Sequence, residues 1–198
     1  MSKLLREFYV RPSVVQIAKD LLGKYLLTRL EDTATGGMIV ETEAYAGPED
    51  RASHAYNSRR TSRTETMFHD GGVAYVYLCY GIHHLFNIVT NIEGIPHAVL
   101  IRAMEPTDGV KLMLRRRNMK EVSLKFSGGP GTLTQALGIK TTHTQTDLTG
   151  EQIWLEDRGF LVPEDEIIAG PRVGVSYAGE DAENPWRFQL KNRSNGVF

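Results

Sequence analysis

Apolar residues recur at helical spacing early in the chain: Val14, Val15, Ile17, Ala18, Leu21 and Leu22 follow Pro12-Ser13 and precede Gly23. A stripe of that period between a capping serine and a glycine predicts an amphipathic helix over 12–22. Beyond it the period shortens. Lys24–Leu30 and Met38–Tyr45 are β-rich runs, and the polar segment Glu31–Gly37, ending in Gly36-Gly37, suits a hairpin connection. On the second run Glu41, Glu43 and Tyr45 fall on one strand face, because side chains alternate along a strand.

Val73–Tyr80 and Leu85–Asn91 predict a second strand pair around Gly81-Ile82-His83-His84, a hairpin with a bulky, partly aromatic tip, and His97–Met104 predicts a further strand. Helices are expected over Pro106–Asn118 and Gly131–Leu137, the latter closed by Gly138. Strands are expected at Gln152–Leu155, Arg172–Tyr177 and Arg187–Leu190. The stretch 46–70 is different in kind: it has little apolar periodicity, and it holds Gly47-Pro48, Arg51, Arg59, Arg60 and Arg63. Segments of this length without regular structure are usually functional or mobile, so 46–70 reads as a working loop. Strand runs joined by hairpins, with helices outside them, predict an α+β fold. A single compact domain over 1–198 is expected, with a curved antiparallel or mixed sheet, flanking helices and a protruding β-hairpin.

A chain of 198 residues with 41% hydrophobic content can build a sizeable core, which excludes wholesale disorder. Its formal net charge of −1 gives no overall attraction to a polyanion. The charge is unevenly placed, however. Residues 51–125 hold 11 Lys/Arg against 6 acids, a local +5, and residues 147–183 hold 10 acids against Arg158 and Arg172, a local −8. A basic face with an acidic back is one reading, and a solvated helix face with an acidic loop is the other. The lone Cys79 excludes an intramolecular disulfide or a cysteine metal cluster and suits a reducing compartment. No long apolar run occurs, so an intracellular protein without a membrane partner is expected, cytoplasmic or nucleoid-associated in a bacterium.

Two clusters could carry chemistry. The Glu41–Tyr45 strand end lies just ahead of a Gly-Pro turn and His54. A carboxylate there can act as a general base on a nearby water, or it can simply be solvated. Tyr75, Tyr77 and Tyr80 add rings on which nucleobases can stack, and which are equally ordinary strand filler. A metal centre on His54, His83, His84 or His97 is disfavoured: His83 and His84 are adjacent and point to opposite strand faces, and the chain has no H-x-x-x-H helix pattern. No metal or cofactor is implied.

Six blocks then occur in one order: ETEAYAGPED (Glu41–Asp50) with His54; Met67-Phe68; YVYLCYG (Tyr75–Gly81) with Asn87; LIRAMEP (Leu100–Pro106); SGGP (Ser127–Pro130) through Gln135–Leu137; and RVGV (Arg172–Val175) with Ala178-Gly179. Together they resemble the alkyladenine (3-methyladenine) DNA glycosylase family. The resemblance implies a monofunctional repair enzyme that excises alkylated or deaminated purines from damaged double-stranded DNA, among them 3-methyladenine, 7-methylguanine, hypoxanthine and ethenoadenine. A monomer is expected.

By matching positions, the resemblance implies that Glu43 activates a water for attack on C1′, and that Arg102 and the backbone carbonyl of Val173 position that water. Tyr45 and His54 would line one side of the flipped base, and Tyr77 would stack on its other face. His54 would also donate toward position 6 of the base. Asn87 would crowd the N2 amine of guanine, and Tyr80 would fill the vacated stack. Arg59, Arg60, Thr61, Arg63, Met67, Ile82 and His83 are candidate contacts to the DNA backbone. The chain departs from the family pattern at Thr132, where vertebrate members carry lysine, and at Ile82-His83-His84, where they carry Met-Tyr-Phe.

Two rival readings remain. A non-catalytic nucleic-acid-binding module of the same fold would need neither Glu43 nor Arg102. A bifunctional enzyme with lyase activity would need an amine nucleophile, and no lysine lies between Lys24 and Lys111.

Overall fold

A computed structural model of the chain describes residues 2–191. In chain order the elements are β1 (Ser2–Lys3), α1 (Arg6–Tyr9), α2 (Val14–Asp20), β2 (Tyr25–Thr28), β3 (Thr35–Tyr45), β4 (Ala74–Cys79), β5 (His83–Thr90) and β6 (His97–Asp108). They continue with α3 (Val110–Arg117), α4 (Leu124–Ser127), α5 (Pro130–Leu137), β7 (Ile153–Asp157), β8 (Ile167–Gly170) and β9 (Arg187–Leu190). The strands form one sheet in the order β1-β7-β2-β3-β6-β5-β4, with β9 added against β3 and β8 against β9. Every strand pair among the described residues is antiparallel.

The helix expected over 12–22 is α2. The Ser13 hydroxyl accepts the Gln16 N–H at 3.2 Å, and Val14, Ile17 and Ala18 turn inward. The helix packs across β3 and β6, where its Ala18 carbonyl accepts the hydroxyl of the buried Thr42. On the same core, α5 lies against β5 and β6, opened by Pro130 and closed by Gly138 in the left-handed conformation (φ +76°). Ile17, Ile39, Phe86, Ile101, Leu133 and Phe188 are among the residues that share this core, so helices and sheet are held by one apolar interior.

The central strand β3 carries the site. Its first half pairs with β2 and its second half with β9, while β6 runs along its other edge. Register shifts near Gly37 and on both sides of Glu41 bend and twist it, which curves the sheet. Gly36-Gly37, expected at the end of a turn, lies inside this strand. A Cβ on Gly37 would stand 2.3 Å from the Glu105 carbonyl oxygen, so the glycine serves close strand approach rather than a turn.

Two further expectations are corrected. Pro106–Asp108 continues β6, and helix α3 starts only at Val110, after Gly109 adopts φ +63°. Its proline sits where β6 pairs with Gly37, at a register shift that tolerates a missing N–H. Arg172–Tyr177 is not a strand: it bends into a 3-10 segment at Ser176–Glu183, because Arg172 is drawn inward by Asp50 and Gly174 takes φ +76°. The loop at 46–70 is wound into 3-10 turns at Gly47–Glu49, Tyr56–Ser58 and Glu65–Phe68. Asp50 anchors it by accepting the N–H groups of Ala46 and Ala52.

Between β4 and β5 the turn is tighter than expected. The Ile82 N–H bonds to the Cys79 carbonyl at 3.1 Å, with Tyr80 (φ +51°) and Gly81 (φ +74°) between them, while His83 and His84 already belong to β5. Two successive positive φ values mark the primed turn that matches the twist of paired strands. Tyrosine at the first position is unfavourable there, and its side chain is 92% exposed.

Candidate active site

Glu43 is fully buried near the end of β3. Three donors converge on its carboxylate. The Tyr45 hydroxyl donates to Oε2 at 2.7 Å, the Val173 backbone N–H donates to Oε1 at 2.8 Å, and Nη1 of Arg102 stands 3.3 Å from Oε1. An ionised carboxylate offers about four lone-pair positions, and two of them are taken by the Tyr45 and Val173 hydrogen bonds. The donors come from β3, from β6 and from the bend after β8, three segments that meet only in the folded chain.

Behind Glu43 a second carboxylate organises the cations. Oε1 of Glu41 accepts Nε of Arg102 at 2.8 Å and Nε of Arg187, on β9, at 2.7 Å. Burial alone would lower Arg102's hold on its proton, but Glu43 and Glu41 outweigh it and keep the guanidinium charged. Sequence reasoning missed Glu41 and Arg187 as site residues. The available signal was the two-residue spacing of Glu41 and Glu43, whereas the Arg187 pairing crosses 146 positions.

Tyr45, Arg102 and Val173 form one end of a cavity of about 380 Å³, which is also lined by His54, Tyr77 and Asn87. The Tyr45 hydroxyl is held protonated, its pKa raised first by burial and then by the negative charge of Glu43. Beneath Tyr45 lies Arg172, whose guanidinium is 4.8 Å from that ring and 5.1 Å from the Trp186 ring. Arg172 is clamped on the buried Asp50 carboxylate and the Ala44 carbonyl. This pair fixes both Tyr45 and the backbone that delivers the Val173 N–H.

Opposite in character is a wall of rings. His54 and Tyr77 touch edge to face with centroids 4.6 Å apart, and Tyr75 lies 5.7 Å from Tyr77. Rings in such contact leave no room for a purine between them. His54 therefore groups with Tyr77 rather than with Tyr45, contrary to the division expected from sequence.

The tautomer of His54 follows from its partners. Nη2 of Arg63, which can only donate, lies 3.3 Å from Nε2, so Nδ1 carries the ring proton and gives it to the Tyr75 oxygen at 2.9 Å. Burial, then the Arg63 charge, lowers the pKa of His54 from 6.5 to about 4, so the ring is neutral at pH 7. Neither ring nitrogen then has a proton to offer into the cavity.

Asn87 is buried at the cavity edge, its Nδ2 donating to the carbonyls of Tyr75 and Leu85. Met67 is only 2% exposed and packs with Ala55, Phe68, Tyr75 and Ala98, so its side chain lines the cavity instead of meeting a DNA backbone. Arg60 is held by both oxygens of Glu65. Arg59 and Thr61 line a second cavity of about 410 Å³ next to His54, together with Arg51 and Arg63. His83 packs over Gly131, Ile82 is exposed, and the Thr132 hydroxyl bonds the Gly129 backbone to cap α5.

Much of the basic run on α3 is spent on structure. Arg116 pairs with Glu31, and Arg117 bonds the carbonyls of Phe126 and Lys125. On the acidic side, Asp147, Glu151 and Asp157 pair with Arg6, Lys3 and Lys24. Neither charged block is therefore wholly free. No helix among the described residues is long and apolar enough to cross a membrane.

Comparison with known proteins shows the family. A family model described as methylpurine-DNA glycosylase matches residues 7–194. A Chlamydia felis protein that carries 3-methyladenine DNA glycosylase in its name is 43% identical over 188 residues, covering 94% of this chain and 95% of the relative. Similarly named proteins of Alkaliphilus oremlandii and Bacillus cytotoxicus are 41% and 44% identical, covering 96% and 90% of this chain and 96% and 91% of the relatives.

Proposed function

The chain belongs to the methylpurine-DNA glycosylase family, a DNA-3-methyladenine glycosylase that hydrolyses N-glycosyl bonds in DNA repair, and from that premise we propose how its residues divide the reaction. The substrate is an alkylated or deaminated purine nucleotide in duplex DNA, extruded from the stack because its C1′ cannot be reached otherwise. The base lies between Tyr45 and the His54–Tyr77 wall. Tyr80 enters the gap left in the duplex, and Asn87 crowds a guanine N2 amine. Arg59 and Thr61 take phosphates of the damaged strand.

The observation that carries this reading is Glu43: a fully buried carboxylate held by Tyr45, Arg102 and Val173, three residues that line the ring-walled cavity. Stacking and phosphate binding alone require no such group. A water on a free lone pair of Glu43, steadied by Arg102 and the Val173 carbonyl, loses a proton to Glu43 as its oxygen bonds to C1′. The N-glycosidic bond breaks, and its electron pair leaves with the purine. Negative charge at Glu43 also stabilises the oxocarbenium character that develops on the sugar. A 3- or 7-alkylated purine already bears positive charge and departs neutral, whereas hypoxanthine requires a proton from an acid. The products are a free base and an abasic site.

The test is release of free base from duplexes containing 3-methyladenine, hypoxanthine or ethenoadenine, with a chelator present. Free base with an intact strand is expected. Binding of lesion duplex without base release would make the chain a binding module, and strand cleavage at the lesion would contradict the monofunctional chemistry.

A further inference from the structure

The hairpin of β4 and β5 has two faces, and the base cavity occupies only one. Tyr77 and Cys79 turn toward that cavity, whereas Leu78 and its cross-strand partner His84 turn the other way, because side chains alternate along a strand. Behind this second face, between the hairpin tip and α5, lies another cavity of about 790 Å³, lined among others by His84, Lys140, Thr142 and His143. Arg116 and Glu31 also line it, but they pair with each other at 2.7 Å and their charges cancel. Lys140 is exposed, and among the described residues no carboxylate pairs with it, so the recess is left positive. The two imidazoles are oriented as donors. Nδ1 of His84 accepts the Thr141 N–H at 3.2 Å, and Nδ1 of His143 accepts the Lys140 N–H at 2.9 Å. An accepting Nδ1 leaves the ring proton on Nε2. Two N–H donors, a hydroxyl and an ammonium thus line one recess that holds no Tyr, Phe or Trp ring, which suits a phosphate rather than a base.

Resting on the reading that Tyr80 enters the duplex, we propose that this cavity is a second anion site, which takes a DNA backbone phosphate on the far side of the insertion from the extruded nucleotide. A side chain wedged between base steps has duplex against both faces of the hairpin that carries it. On the face toward the base, Arg59 and Thr61 serve the damaged strand. On the opposite face the groups within reach of the tip are Lys140, His84 and His143, next to Ile82 and His83 of the turn. Contacts of this kind carry no sequence or lesion information. They hold the duplex on the wedge, and the lysine makes that hold depend on salt.

The experiment measures how binding to a duplex with a tetrahydrofuran abasic analogue depends on salt, for the unaltered protein, Lys140→Ala and Lys140→Arg. Lys140 is exposed and meets His143 through its backbone N–H, so neither substitution disturbs the fold. Each phosphate neutralised by a lysine contributes about 0.9 to the steepness of log K against log salt. The slope should therefore be shallower by about 1 in Lys140→Ala and unchanged in Lys140→Arg, with base release from a hypoxanthine duplex at saturating protein the same in all three. Two further duplexes, each cut short on one side of the abasic position, locate the contact: the effect of Lys140→Ala should persist on one and vanish on the other. An unchanged slope in Lys140→Ala would overturn the inference, as would any other pattern on the cut duplexes. Failure of the unaltered protein to release any base would count against the glycosylase reading and not against this site, because the slope is read on an abasic duplex and needs no chemistry.

Discussion

Tyr45 donates its hydroxyl to Glu43 across 2.7 Å, two residues along the same strand. The ring that walls the cavity and the buried carboxylate are therefore one hydrogen-bonded unit. The two groups meet because both side chains leave the same face of β3.

Glu43→Gln keeps the shape of this unit but has no carboxylate to accept a proton. Base excision in a single-turnover assay should fall by about 10²–10⁴-fold, the usual worth of a positioned general base, while lesion-duplex affinity stays within a few-fold. Undiminished excision by the variant would remove Glu43 from the mechanism.

Glu41→Gln should act one step removed. Arg102 and Arg187 would lose their shared anion, and Arg102 would no longer be aimed at Glu43. The side chains of this cluster are 10–28% exposed, between the surface and buried cases, so a stability loss of about 2 kcal/mol is expected. Melting curves report that loss. Excision by the folded variant should slow with little change in duplex binding, whereas full activity would show that Arg102 needs no brace.

Tyr80→Gly separates function from stability at the turn. Glycine accepts the positive φ at this position without the Cβ clash, so the variant should be more stable by about 1 kcal/mol in denaturant titrations. Capture of a lesion in duplex DNA should weaken at the same time, with single-stranded substrate little affected. Equal weakening on both substrates would argue against an intercalating side chain.

His54 makes stability depend on pH in a defined window. Its pKa is lowered from 6.5 to about 4 by burial and then by Arg63, so between those values the unfolded chain holds a proton that the folded chain lacks. Stability should therefore decline as pH falls through that interval and gain nothing from this ring above it. Titration of the imidazole by NMR should place it near 4 in the folded protein and higher in Arg63→Ala, which removes one of the two causes. A folded-state value at the ordinary 6.5 would mean that the ring is solvated and unpaired.

Local pattern made much of the fold legible. The Ser13 cap and the stripe behind it give α2, and the strand run Arg187–Leu190 is β9 as read. Pattern failed where a distant partner decides. Gly36-Gly37 resembles a turn until Glu105 is brought against it, and Arg172–Tyr177 reads as a strand until Asp50 pulls Arg172 inward. At the site, the order of the blocks singled out Glu43, Tyr45, His54, Tyr77 and Arg102, but not how they group in space.

The sequence by itself determined which residue types stand on each face of β3 and β4, because alternation along a strand is a local property, and with that the chemistry available to the site. Only the tertiary structure decided which donors meet Glu43, that His54 joins Tyr77 in one wall, and that Glu41 holds two arginines. Those relations depend on β6, β9 and the bend at Val173 arriving at one place, and hydrogen bonds and ring contacts act over a few ångströms of space whatever the separation along the chain.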